Sequence, residues 1–200
     1  MDRRQQARTE MQGNLTRAFS IGETRTIDEE KRTVELSFSS EEPYMRWYGN
    51  EILSHDKSAV NLKRLKQIGC ALYNHNRDYV IGEVKDVRLD DDRKCRAVIR
   101  FDEDAESDLI FQKVKSGTLK GVSVGYMVEE WEEVPDGKKS EDGRFKGPCY
   151  IAKKWTPFEI SIVSVPADST VGVGRSAEEE MKDARTLDWF ARQVQINRNR

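Results

Sequence analysis

The stretch GTLKGVSVGY, residues 117–126, reads as the end of a helix, a turn and the start of a strand. Gly117 suits the position just past a helix C-terminus, where a left-handed backbone is wanted. From Gly121 onward the period becomes two. Val122, Val124, Tyr126 and Val128 share one face, and Ser123, Gly125 and Met127 share the other. The first face belongs to a core. The second is thin and admits two readings: Ser123 is filler where another segment packs close, or it is a nucleophile whose neighbouring glycines leave room for a substrate backbone.

Working outward, DAESDLIFQKVKSG (104–117) predicts a helix, with acids at its start and an apolar face of Ile110, Phe111 and Val114. Before it, YVIGEVKDVRL (79–89) and CRAVIRF (95–101) read as a hairpin turned by DDDRK. RTVELSF (32–38) alternates as a strand. SAVNLKRLKQI (58–68) has helical spacing with Ser58 placed to cap it, and the aromatic-rich EEPYMRWYGNEILSH (41–55) reads as a long packed loop. After the helix, GVSVGYMVEEW (121–131) and CYIAKKWTPFEISIVSV (149–165) are strands around a polar loop. The order of strands, helix, strands leaves little room for parallel crossovers. It predicts a mainly β fold with flanking helices, α+β in class, built on a largely antiparallel sheet or barrel. Residues 1–16 read as a flexible N-terminal segment, 17–175 as the domain, and 176–200 as a charged tail or linker with helix potential through Leu187, Phe190, Ala191 and Val194.

Composition narrows the function classes. With 36% hydrophobic and 35% charged residues, part of the 200-residue chain must be solvated, though enough remains for a core. A net charge of −2, with both signs interspersed, gives no electrostatic footing for nucleic acid or membrane. No run is long enough to span a bilayer, and the N-terminus lacks the apolar stretch of a secretory signal. Three scattered cysteines, Cys70, Cys95 and Cys149, suit a reducing compartment better than a disulfide framework. The two histidines form no HExxH or other close ligand pair, so a zinc hydrolase is not expected. No other metal and no cofactor is expected either.

If Ser123 is a nucleophile it needs a base and a group to orient that base. Only His55, in ILSHDKS, and His75, in ALYNHNRDYVIGEV, can supply an imidazole, and each also reads as an ordinary histidine in a polar turn. In WTPFEISIVSVPAD (155–168), Phe158, Ile160 and Ile162 point one way while Glu159, Ser161 and Val163 point the other. Glu159 either faces solvent or steadies an imidazole, because a carboxylate in so apolar a strand is costly to bury unpaired. VGVGR (171–175), ending in Arg175, is a candidate source of oxyanion donors. A cysteine hydrolase built on Cys70 and His75 is a weaker alternative, since Cys70 lies in an apolar run that suits an inert thiol.

Together, LYNHNRDYVIGEV, LKGVSVGYMV and WTPFEISIVSVPAD resemble, in order, the three signature blocks of the tailed-phage prohead maturation proteases, relatives of the herpesvirus assemblins. The resemblance covers roughly residues 17–175. It implies a serine endopeptidase on an antiparallel β-barrel of the herpesvirus-protease type, with His75 as general base, Ser123 as nucleophile and Glu159 as third member. The chain has WTPFE where the family pattern places fewer residues between tryptophan and glutamate. The herpesvirus enzymes use a second histidine, so His55 competes with Glu159 for the orienting role. The implied substrates are the scaffold and the major capsid protein, and the chain itself. The implied setting is the interior of an assembling procapsid, near the portal, in the bacterial cytoplasm, with a homo-oligomer as one expected state. The alternative is a scaffold-like assembly module of little activity, or the N-terminal part of a protease–capsid fusion.

Overall fold

A computed structural model describes residues 3–20 and 26–165 of the chain. Arg175 and the segment 176–200 lie outside the described residues. In chain order the elements are α1 (Arg3–Met11), β1 (Leu15–Ser20), β2 (Ile27–Asp28), β3 (Thr33–Ser39), β4 (Tyr44–Arg46), β5 (Gly49–Leu53), α2 (Lys63–Ile68), β6 (Cys70–Tyr73), β7 (Asn76–Leu89), β8 (Cys95–Phe101), α3 (Ala105–Lys115), β9 (Gly121–Val134) and β10 (Cys149–Val163). The fold is mainly β with few helices. No helix among the described residues is long and apolar enough to cross a membrane.

One sheet runs β1-β9-β10-β6-β7-β8-β3-β2, with β5 alongside the first part of β10 and β4 alongside β5. Val34, Leu36 and Phe38 of β3 share a core with Val122, Val124 and Tyr126 of β9, although four strands separate the two in the sheet. The sheet therefore curls around its core, as right-handed strand twist favours. Phe111 and Val114 of α3 and Leu65 of α2 fill the same core. Among the described residues no pairing joins β1 to β2, so the curl stays a half-barrel.

Helix α3 follows its sequence closely. Asp104 caps it by accepting from the Glu106 and Ser107 amides, and Gly117 (φ 77°) stops it in the left-handed region. Elsewhere the structure departs from expectation. Two pairings are parallel: β10 lies parallel to β5 through Cys149–Ala152 and to β6 through Ile160–Ile162. Residues 41–55 form a hairpin, β4–β5, rather than a loop. Its charged and aromatic side chains hid the strand period because they fill a buried polar cluster. Glu51, fully buried, accepts from Arg46 (3.3 and 3.4 Å), from the Tyr48 hydroxyl (3.0 Å) and from the Tyr126 hydroxyl.

The helix expected from Ser58 begins only at Lys63, with Leu62 at its N-cap and no capping side chain. The backbone before it is already engaged by β10: the Trp155 amide donates to Ala59 O (2.9 Å), and the Asn61 amide donates to Trp155 O (2.9 Å). Residues 1–16, expected to be loose, hold α1 and the start of β1. Ala7 and Met11 are buried one turn apart, and the Trp131 indole N–H donates to Met11 O (3.2 Å).

Candidate functional site

Strand β9 places Ser123 between Ala18 of β1 and Ser161 of β10, each directly opposite it in the ladder. Two positions along, Gly125 faces Glu159. Because side chains alternate, Ser123, Gly125, Glu159 and Ser161 all project from the same face of the sheet, away from the Val122–Val124–Tyr126 core.

His75 reaches this face from the β6–β7 hairpin. Tyr73 pairs with Asn76, leaving Asn74 (φ 52°) and His75 (φ 59°) as a two-residue turn with both residues left-handed, the requirement of a type I′ turn. Glycine usually fills such positions; asparagine and histidine are among the few other residues that tolerate them. The turn is fastened to β10. The Asn74 amide donates to Ile162 O (2.9 Å), and Asn74 Oδ1 accepts from the Ser164 amide (2.9 Å) and hydroxyl (3.3 Å). The His75 amide donates to Ser161 Oγ (3.2 Å).

The imidazole lies between two partners. His75 Nε2 is 2.8 Å from Ser123 Oγ, and His75 Nδ1 is 2.6 Å from Glu159 Oε1. With Glu159 ionised, Nδ1–H donates to the carboxylate and Nε2 accepts from the serine hydroxyl. The second carboxylate oxygen, Oε2, accepts from Ser161 Oγ (2.7 Å). Glu159 is 7% exposed, so both partners matter to the cost of burying it. Ser123 is 2% exposed, whereas the His75 side chain is 30% exposed. The serine is therefore not left bare. Its neighbours in the ladder and the imidazole cover it, and the imidazole is the part of the group that meets solvent.

The flanking glycines have a different explanation from the one their position suggests. A Cβ on Gly125 would fall 2.5 Å from Glu159 Oε1 and 2.8 Å from the Phe158 ring. A Cβ on Gly121 would fall 2.6 Å from Val163 O. Both glycines clear β10 rather than a substrate, and Gly125 makes the space that the carboxylate occupies.

His55 sits elsewhere. It is 2% exposed, its Nδ1–H donates to Leu53 O (2.8 Å), its Nε2 accepts from the Ser39 hydroxyl (2.8 Å), and its ring packs against Trp155. Burial pulls its pKa down to about 4, so it is neutral near pH 7. Both ring nitrogens are taken by partners outside the Ser123 group. Cys70 lies on β6, while both ring nitrogens of His75 face Ser123 and Glu159. Among the described residues no three His, Cys, Asp or Glu side chains gather as a metal set.

Two contributors escaped the sequence reading. Ser161 was visible only as a small residue two positions from Glu159, a spacing that puts both on one face. Asn74 was hidden in a polar turn, although Asn before His at the centre of a hairpin is a signal for left-handed backbone.

The sequence model of the caudovirus prohead serine proteases matches residues 35–184, a span that includes His75, Ser123 and Glu159. The chain is 37% identical over 147 residues to a major capsid protein of Halomonas phage phiHAP-1, covering 72% of this chain and 23% of that protein. It is 25% identical over 177 residues to a capsid polyprotein of Pseudomonas phage PAJU2, covering 84% of this chain and 24% of that protein. The chain thus spans about a quarter of the length of these curated relatives. No solved structure matches.

Proposed function

The chain belongs to the caudovirus prohead serine protease family, and we propose that it is an active serine endopeptidase that processes capsid protein during phage head maturation. The observation that carries this reading is the hydrogen-bonded series Ser123–His75–Glu159, at 2.8 and 2.6 Å. Its members come from three separate elements, and a solvated polar surface has no need of that order.

In this reading His75 Nε2 takes the proton of Ser123 Oγ as the oxygen attacks a peptide carbonyl. The resulting imidazolium is held through Nδ1–H by the Glu159 carboxylate, which fixes the tautomer and balances the new charge. The imidazolium then returns the proton to the leaving amine. Water, activated by the same imidazole, attacks the acyl-enzyme and frees Ser123. Glu159, not His55, is the orienting residue. The curled sheet with its flanking helices is read as a variant of the herpesvirus-protease barrel.

The substrates proposed are capsid-protein and scaffold extensions, and the chain itself. The names of the two relatives, a capsid polyprotein and a major capsid protein, each some four times the matched length, favour a protease domain joined to a capsid protein in one polypeptide. The place of action is then the assembling procapsid in the host cytoplasm. Co-expression of the full polypeptide, or of this chain with the capsid protein of its phage, tests the proposal. Wild type should shorten the capsid protein and Ser123→Ala should leave it at full length. Equal lengths in both would instead favour an assembly module that keeps the fold without using it.

A further inference from the structure

We propose that Ser161 is a positioning residue of this site, a single hydroxyl that holds the base and its carboxylate in register; its catalytic meaning rests on the serine-peptidase reading above. Its Oγ donates to Glu159 Oε2 at 2.7 Å and accepts from the His75 amide at 3.2 Å. Glu159 Oε1 accepts from His75 Nδ1 at 2.6 Å. The contacts close a ring: His75 backbone to Ser161, Ser161 to Glu159, Glu159 back to the His75 imidazole. Ser161 is fully buried and lies directly opposite Ser123 across the β9–β10 ladder, so the ring is built against the strand that carries the nucleophile.

Each contact removes a freedom the site cannot keep. The terminal torsion of a glutamate is broad, so a carboxylate held at one oxygen can swing. Ser161 holds the other oxygen, which leaves Oε1 aimed at the imidazole. The left-handed turn points the His75 amide at β10, and there the same hydroxyl receives it. One side chain therefore sets both the position of the imidazole's backbone and the direction of the group that orients its ring.

The hold on the ring can be read directly, at the hydrogen bond between His75 Nδ1–H and Glu159 Oε1. The chain has only two histidines, so each imidazole can be followed separately by NMR.

The test compares wild type, Ser161→Ala and Ser161→Thr by the NMR signal of the His75 Nδ1 proton and by the rate at which a fluorophosphonate labels Ser123. In Ser161→Ala that signal should shift or broaden as the contact with Glu159 loosens, while the His55 ring signals stay put. Labelling at pH 7 should fall on the order of 10-fold. Ser161→Thr, which keeps the hydroxyl, should restore both. An unchanged His75 signal and labelling rate in Ser161→Ala would overturn the proposal, as would a Thr variant as impaired as Ala. Should Ser161→Ala fail to fold, Ser161→Cys offers a near-isosteric weak donor. A partial change in the signal is then expected, and no change counts against the role. If wild type is not labelled at Ser123, the peptidase reading falls, and the His75 signal alone decides whether Ser161 holds His75 and Glu159 in register.

Discussion

Gly125 and Glu159 face each other across the β9–β10 ladder, and the missing side chain of the one is the space filled by the carboxylate of the other. Gly125→Ala should therefore act on the site through Glu159. The added methyl would sit 2.5 Å from Oε1, too close for any real contact, and the carboxylate must swing away from His75. We expect the cleavage rate to fall by about 100-fold, as a misplacement of around 1 Å does elsewhere. Stability should drop by only about 1–3 kcal/mol. Capsid-protein cleavage and chemical denaturation, measured on the same preparation, separate the two effects.

Glu159→Gln tests the third position directly. The amide keeps the shape but no longer carries a charge to balance an imidazolium, and its NH2 can face Nδ1 and force the wrong tautomer. The expected loss is roughly 10⁴-fold in kcat/KM, the scale seen when the acidic member of such a triad is neutralised. A His55→Gln variant in the same assay should cleave at close to the wild-type rate where it remains folded. Comparable losses in the two variants would return His55 to the orienting role.

His55 should make the fold sensitive to acid. Its folded pKa of about 4 lies below the unfolded value of roughly 6.5. The unfolded chain then binds the extra proton first, so stability is full above about pH 6.5 and is lost as pH falls toward 4. The difference corresponds to on the order of 3 kcal/mol from this one group. Urea denaturation between pH 4 and 7 should show stability rising with pH, and His55→Gln should remove about one proton from that slope.

The thiols should be dispensable for catalysis. Burial pushes the Cys95 thiol up to about 12 and raises that of Cys149, so neither is a thiolate near neutrality. Cys70→Ala should retain activity within about twofold. Treatment with iodoacetamide should likewise leave cleavage intact; inactivation that Cys70→Ala prevents would revive a cysteine mechanism.

Taken one at a time, Ser123, His75 and Glu159 read as an ordinary strand serine, turn histidine and surface glutamate; the resemblance of their three blocks to one family singled them out, and the structure brings the three side chains within hydrogen-bond distance. Helix α3 was readable because Asp104 and Gly117 mark its ends and its apolar face is unbroken. Helix α1 was not, since Ala7 and Met11 are its only buried apolar side chains among those described. The β4–β5 hairpin was obscured by Glu51, a charge that becomes tolerable only once Arg46, Tyr48 and Tyr126 have gathered round it. The purpose of Gly125 could not be read locally at all, because the atoms that forbid a side chain there belong to a strand some thirty residues later.

Strand β10 carries the carboxylate, anchors the turn that presents the imidazole, and runs beside the full length of the strand that bears the serine. It is also the latest element in chain order among those described. A nascent chain already holds Ser123 and His75 before it has Glu159, Ser161 or the Ile162 carbonyl that pins the hairpin. The candidate group is therefore complete only once the last described strand has been made.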